Sequence, residues 1–163
     1  MTEYVDQSLT SHSRPEEVPA EWRICVYGLV ERNGRILLVD QIVAAGPGLS
    51  LPGGGVELDP EETILEGSVR EVYEETGYHF EPDAESMELI AEAFIRSPSG
   101  RHYHAILFLV RGTVSEDPDP RWARNDEEIV DVLWVDPASL TQHAIRRSHW
   151  DALARLGYVL GPA

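Results

Sequence analysis

A chain of 163 residues with 42% hydrophobic content is long enough for one globular domain with a substantial core and leaves little room for a second. Its 29 acidic residues against 13 basic ones, a net charge of −16, exclude the clustered cations that a DNA or RNA backbone requires, so no nucleic-acid polymer is expected as a partner. A small anionic phosphate ester stays compatible if divalent cations stand between it and the carboxylates, and the charge balance thereby points to a metal.

The single cysteine, Cys25, allows no intramolecular disulfide and no multi-cysteine zinc site, and its apolar setting predicts a packed thiol. No apolar run reaches the length of a membrane span, and the first residues are polar and acidic, so a cytoplasmic protein with no membrane partner is expected.

Residues 1–19 carry Ser8, Ser11, Ser13, Pro15 and Pro19 with hardly any apolar periodicity, which predicts a flexible or loosely docked N-terminal arm ahead of one domain over 20–163. Within that domain, Arg23–Val30 and Ile36–Val39 are strand-like runs around Asn33-Gly34, a hairpin signal. A glycine-rich turn region follows over Gly46–Gly55. A helix is expected from about Thr63 to Thr76, opened by the capping-box pair Thr63 and Glu66 and ended by Gly77. Met87–Arg96, Arg101–Arg111 and Glu128–Val135 read as further strands, the first two joined by Ser97-Pro-Ser-Gly100. From Pro137 to Leu156, Leu140, Ile145, Trp150, Leu153 and Leu156 have the spacing of a helix that covers a sheet. No internal repeat is present, and the element order predicts an α/β layered fold.

The helix is the most informative segment. At about 100° per residue, Glu74 and Glu75 fall about 60° and 40° to either side of Glu71, with Leu65, Val69, Val72 and Thr76 opposite, so three carboxylates share one face. Like charges at those spacings repel and call for a compensating cation; Arg70 supplies one, which is too little for three. Hard oxygen ligands on one face suit Mg²⁺ or Mn²⁺. Taken alone, such a triplet more often marks a solvated helix surface.

The wider run changes that balance. Gly53-Gly54-Gly55, Glu62, and Arg70-Glu71-Val72-Tyr73-Glu74-Glu75-Thr76-Gly77-Tyr78 resemble the Nudix box, with seven residues between Glu62 and Arg70 as in that family. One departure is that Val56–Glu61 makes the gap from Gly55 to Glu62 one residue longer than the family's. A second is Leu49, where the family often has Trp ahead of Leu-Pro-Gly. The resemblance extends over about Trp22 to Leu156 and leaves the arm outside.

It implies a Nudix-type α/β/α sandwich, a mixed β-sheet flanked by helices, and a Mg²⁺-dependent hydrolase, Mn²⁺ being the other candidate ion. The substrate would be a small-molecule nucleoside diphosphate linked to another moiety. Glu71, Glu74 and Glu75 would hold the metal, with a backbone carbonyl at Gly54 or Gly55, while Glu62 and Arg70 orient them. The general base is left open between Glu74, Glu75 and the acids Asp126, Glu127 and Glu128. Arg23, Tyr27, Arg96, Arg101 and Tyr103 are substrate-binding candidates, alongside Phe94, His102 and His104, because aromatics stack on bases and Arg pairs with phosphate. The spacing of His102 and His104 puts them on one face, yet they make a poor zinc site without further ligands. Three alternatives stand beside the hydrolase: an inactive Nudix-fold nucleotide-binding or regulatory module, an isoprenoid diphosphate isomerase relying on Cys25, and an acidic interaction protein. A homodimer is left open, the arm being one route to its interface.

Overall fold

The computed structural model describes residues 3–5, 10–42, 48–57, 61–96, 99–123 and 128–160. Among the described residues ten strands form one mixed sheet: β1 (Glu3–Val5), β2 (Ser11–Ser13), β3 (Ala20–Arg32), β4 (Arg35–Gln41), β5 (Leu49–Ser50), β6 (Gly53–Gly55), β7 (Phe80–Pro82), β8 (Glu88–Arg96), β9 (His102–Val114) and β10 (Ile129–Val135). The main path runs β10-β4-β3-β9-β8-β1-β2, with β5 on β4, β6 on β3 and β7 on β9. Two helices, α1 (Ile64–Thr76) and α2 (Arg147–Arg155), flank it, giving the expected α/β/α sandwich.

The central strand is β3. Its first part pairs in parallel with β9 from Ala20↔His102 to Val30↔Gly112, and its last residues turn into β4 at Asn33-Gly34. Both turn residues have positive φ, 53° and 73°, the backbone that Asn-Gly adopts at low cost in a two-residue hairpin. Alternation along β3 divides the core. Cys25, Tyr27 and Leu29 join Trp150, Ala152 and Leu153 of α2, while Val26 and Val30 join Val72 of α1 and Phe80. Between them Gly28 lets α1 approach, since a Cβ there would lie 2.7 Å from Val72 Cγ2.

α1 forms where the sequence places it. Thr63 caps it reciprocally with Glu66, and Gly77, at φ 75°, closes it by donating to Tyr73 O. Its rotation differs from the expectation. The buried residues are Gly67, Ser68, Val72, Glu75 and Thr76, whereas Val69 is exposed. Glu75 goes inward because the backbone N–H of Gly53 donates to its carboxylate at 2.8 Å, which offsets part of the desolvation.

The C-terminal helix is shorter than its apolar spacing predicts. Asp136 accepts from Ala138 N–H and starts a single 3-10 turn at Pro137–Ser139. Ile145, fully buried, then forms an isolated parallel bridge to Leu49, and helix begins only at Arg147. The described part of the arm contains two short strands. β1 and β2 pair with each other, Val5 aligns with Ile95 of β8, and Tyr4 is buried, its ring edge-on to Phe94 and His102. No helix among the described residues is long and apolar enough to cross a membrane.

Candidate active site

The site is built around one guanidinium. Arg70 donates through Nε to Glu62 Oε1 at 2.7 Å, and through Nη2 to Glu62 Oε2 at 2.9 Å and to the carbonyl of Gly55 at 2.8 Å. Its Nη1 donates to Glu71 Oε1 at 2.9 Å and to Glu74 Oε2 at 3.1 Å. Charge-assisted bonds of this kind hold orientation as well as charge, and five together fix the side chain. Glu62, further held by the N–H of Glu57 at 2.8 Å, is an orienting partner for Arg70. Its carboxyl is held below the ordinary range, chiefly by Arg70, whose own pKa is raised in return.

The glycine strand makes this approach feasible. A Cβ on Gly54 would stand 2.6 Å from Glu71 Oε2, and one on Gly55 would stand 2.7 Å from Arg23 Nη2. Successive residues of β6 therefore face opposite sides, Gly54 toward the glutamates of α1 and Gly55 toward Arg23. Gly53, at φ 148°, lies so close to the carbonyl of Val26 that only glycine fits. Burial pushes the Glu71 carboxyl up, and Arg70 pulls it back. Glu74 is the open carboxylate, with 55% of its side chain exposed. Glu75 is held by Gly53 N–H and by Gln41 Nε2 at 3.2 Å.

These groups fit a hard divalent ion. Their donors are all carboxylate and carbonyl oxygens, Glu71 and Glu74 already converge on one cationic nitrogen, and Gly54 keeps space clear beside Glu71. The Gly55 carbonyl, although bonded to Arg70, has a second lone pair. Among the described residues no group of three His, Cys, Asp or Glu side chains forms a ready ligand set, so remaining positions would fall to backbone, water and substrate.

The other candidates divide. Arg23 lies beside Gly55, its guanidinium 5.3 Å from the ring centre of Tyr103, and Arg101 covers the same ring at 5.4 Å while paired with Glu21. Tyr27 is in the core, its ring 4.3 Å from that of His149. Arg96 lies across from His102, which pairs with Ala20, about 17 Å along β3 from the register of Gly55 at Cys25. His104 is stacked between Trp22 and Phe94 and bonded to Glu92. Burial raises the Cys25 thiol, the opposite of what a nucleophile needs, which removes support for an isomerase. Asp126 and Glu127 lie outside the described residues.

Four residues at the site carry no signal in the linear sequence. Gln41 bonds Glu75, and Arg146 Nη2 in turn bonds Gln41 Oε1 at 2.5 Å. His149 Nδ1 accepts from the N–H of Leu51 at 3.1 Å, fixing the approach to the glycines, and burial lowers its pKa to about 3. Trp122 packs its ring on Gly77 and donates to Glu74 O at 3.1 Å. The His149 and Arg146 bonds join residues 98 and 105 positions apart, so no local pattern reveals them.

The NUDIX domain family model matches residues 20–156. A Nudix hydrolase from Nitrosomonas europaea is 31% identical with a TM-score of 0.51, covering 70% of this chain and 72% of its own. A MutT Nudix hydrolase from Burkholderia pseudomallei shares the fold at 24% identity and a TM-score of 0.59, covering 83% and 98%. An ADP-ribose pyrophosphatase from Streptococcus suis does so at 19% and 0.50, covering 72% and 76%. No curated protein matches the chain. With the family model spanning most of its length and the box residues assembled in one place, the chain belongs to the Nudix family. It is a Nudix-type pyrophosphohydrolase, acting on acid anhydrides.

Proposed function

We propose that this protein hydrolyses the diphosphate linkage of a nucleoside diphosphate joined to another moiety, using Mg²⁺, or Mn²⁺ in its place. The observation that carries the reading is the convergence of Glu62, Glu71, Glu74 and the Gly55 carbonyl on Arg70 beside a strip of backbone without side chains. Glu71, Glu74 and Glu75, with the Gly55 carbonyl, would hold the ion. When bound, the ion supplies charge neutralisation of the diphosphate and a lowered pKa for water.

The remaining chemistry belongs to the chain. Arg70 and Glu62 keep the carboxylates aimed, and Gly53 N–H with Gln41 fixes Glu75. Glu74, the most exposed of the three, is the group we assign to accept the proton of the attacking water at its carboxylate. Water adds at phosphorus, the bridging P–O bond breaks, and two phosphate-bearing fragments leave. Every residue named lies in one chain, so the reading does not require a homodimer.

The test is product release from nucleoside triphosphates, nucleotide sugars, dinucleoside polyphosphates and ADP-ribose, with and without Mg²⁺, for wild type, Glu74→Gln and Glu75→Gln. Metal-dependent release lost in both variants is the expected result. No turnover of any compound by folded, metal-supplied protein would replace this reading with a nucleotide-binding module.

A further inference from the structure

The last turn of α1 is the least self-sufficient part of that helix. In any α-helix the final four carbonyls lack a partner within the helix, and that end carries a partial negative charge. Glu74 and Glu75 add two full negative charges there, and no lysine or arginine lies in the turn to offset them. Yet these are two of the three glutamates assigned to the ion. The other end is closed by its reciprocal cap, and Val72 anchors the middle in the core. The carboxyl end needs support from outside the helix.

The connection from β9 to β10 supplies it. Trp122 Nε1–H donates to Glu74 O at 3.1 Å, and the indole lies so close to Gly77 that a Cβ there would stand 2.8 Å from two of its ring carbons. Asp119 N–H donates to Gly77 O at 2.8 Å, and Trp122 N–H donates to Asp119 O at 2.9 Å, so one turn over 119–122 grips the helix end at two carbonyls. The Asp119 carboxylate, only 4% exposed, organises that turn. It accepts from Arg121 N–H at 2.8 Å and from Arg121 Nε and Nη2 at 3.1 and 2.9 Å. Its Oδ2 also lies 3.4 Å from Tyr73 Oη and 3.5 Å from His79 Nε2, and the Tyr73 and His79 rings stack at 5.1 Å. Tyr73 directly precedes Glu74, so the turn holds the last turn of α1 by side chain as well as by backbone.

We infer that Trp122 is a positioning residue for the hydrolysis: through its indole N–H, the turn built on Asp119 holds the end of α1 so that Glu74 and Glu75 stay aimed at the ion. The inference rests on the hydrolase reading, with Glu74 and Glu75 at the metal, and deepens it. Arg70 fixes the carboxylate of Glu74 from the side of the glycines, and Trp122 fixes the backbone that carries it. Removing the indole N–H leaves the cap and the core contacts of α1 in place, so the loss is confined to its last turn.

The test compares wild type with Trp122→Phe, which keeps a ring against Gly77 and deletes the donor, and with Asp119→Ala, which dismantles the turn. Amide hydrogen exchange is followed without metal, Mn²⁺ binding by calorimetry, and turnover with Mg²⁺ on whichever nucleotide of the panel wild type cleaves fastest. In Trp122→Phe, exchange at residues 74–77 should quicken about 3- to 10-fold while residues 68–72 match wild type. Mn²⁺ affinity and kcat should each fall about 10-fold, with KM within twofold and the melting temperature close to wild type. Asp119→Ala should show the same local pattern, enlarged.

Unchanged exchange at 74–77 in Trp122→Phe would overturn the inference. So would faster exchange along the whole helix with a lowered melting temperature, the mark of a residue that only supports the fold. Faster local exchange with Mn²⁺ affinity and kcat both intact would overturn it too. If wild type cleaves no compound, the hydrolase reading fails, and exchange with Mn²⁺ affinity still decides whether Trp122 aims the glutamates; a wild type that binds no Mn²⁺ removes both.

Discussion

Two stretches of the β3–β9 pair are built by opposite means. Where Trp22, His104, Phe94, His102 and Tyr4 meet, the rings stack or lie edge-on at 4.0–5.5 Å, and His104 also bonds Glu92. Further along β3, at Cys25–Tyr27, side chains give way to the three glycines of β6, and the order comes from Arg70, Glu62 and Glu75 gripping backbone. Ring pairs favour stacked or edge-on geometry but are held by broad apolar contact, while a network of charge-assisted bonds specifies individual atoms. The aromatic stretch secures the edge of the fold, and the glycine stretch secures a geometry.

That contrast yields four predictions of decreasing size. Arg70→Ala leaves Glu62 and Glu71, both mostly covered, without their cation; kcat should fall about 1,000-fold and stability by about 3 kcal/mol, read by steady-state turnover and urea unfolding. An active, stable variant would break the contrast. Gly54→Ala pushes a methyl group against Glu71 Oε2 and should reduce kcat about 100-fold, with a melting temperature close to wild type.

Tyr4→Ala removes a buried ring that packs on Phe94 and His102, away from Glu71, Glu74 and Glu75 on α1. It should lower stability by about 2 kcal/mol with kcat within twofold, and a large loss of activity would join the two stretches into one unit.

His149 sharpens the comparison through pH. Its folded pKa of about 3 lies below the ordinary value of 6.5, so between those values the unfolded chain takes up a proton that the folded chain refuses. Stability is therefore lost as pH falls through that window, by about 2 kcal/mol between pH 7 and pH 5. His149→Asn, which keeps an acceptor for the Leu51 N–H, should flatten that dependence in urea unfolding at the two pH values. An unchanged slope would place the proton uptake elsewhere.

Much of this architecture is legible in the sequence where the determinants are local. Asn33-Gly34 and the Thr63–Glu66 cap with Gly77 define a hairpin and a helix from neighbours alone, and the spacing of Arg70, Glu71 and Glu74 along that helix, with Glu62 just before its cap, suffices to bring them together. The helix rotation was not legible, because burial of Glu75 depends on an N–H supplied by Gly53 from another element. The short α2 reflects the bridge of Ile145 to Leu49, which apolar spacing does not encode. Tyr4 was hidden in a polar arm because its partners, Phe94 and His102, come from β8 and β9. Tyr27 and Arg23 are both plausible binding residues by type, and only their burial in the fold separates a core ring from an exposed guanidinium beside Gly55.

The bond between Leu51 N–H and His149 has a consequence for how the protein comes into being. The turn that leads into the glycines is tied to a residue made 98 positions later, so a nascent chain holds the box long before it holds the brace. At about 5–20 residues per second, translation leaves that turn without its partner for about 5–20 s. Over that interval the ribosome-bound chain has its glutamate helix in sequence but not its finished geometry, and activity should arrive late in synthesis, with α2.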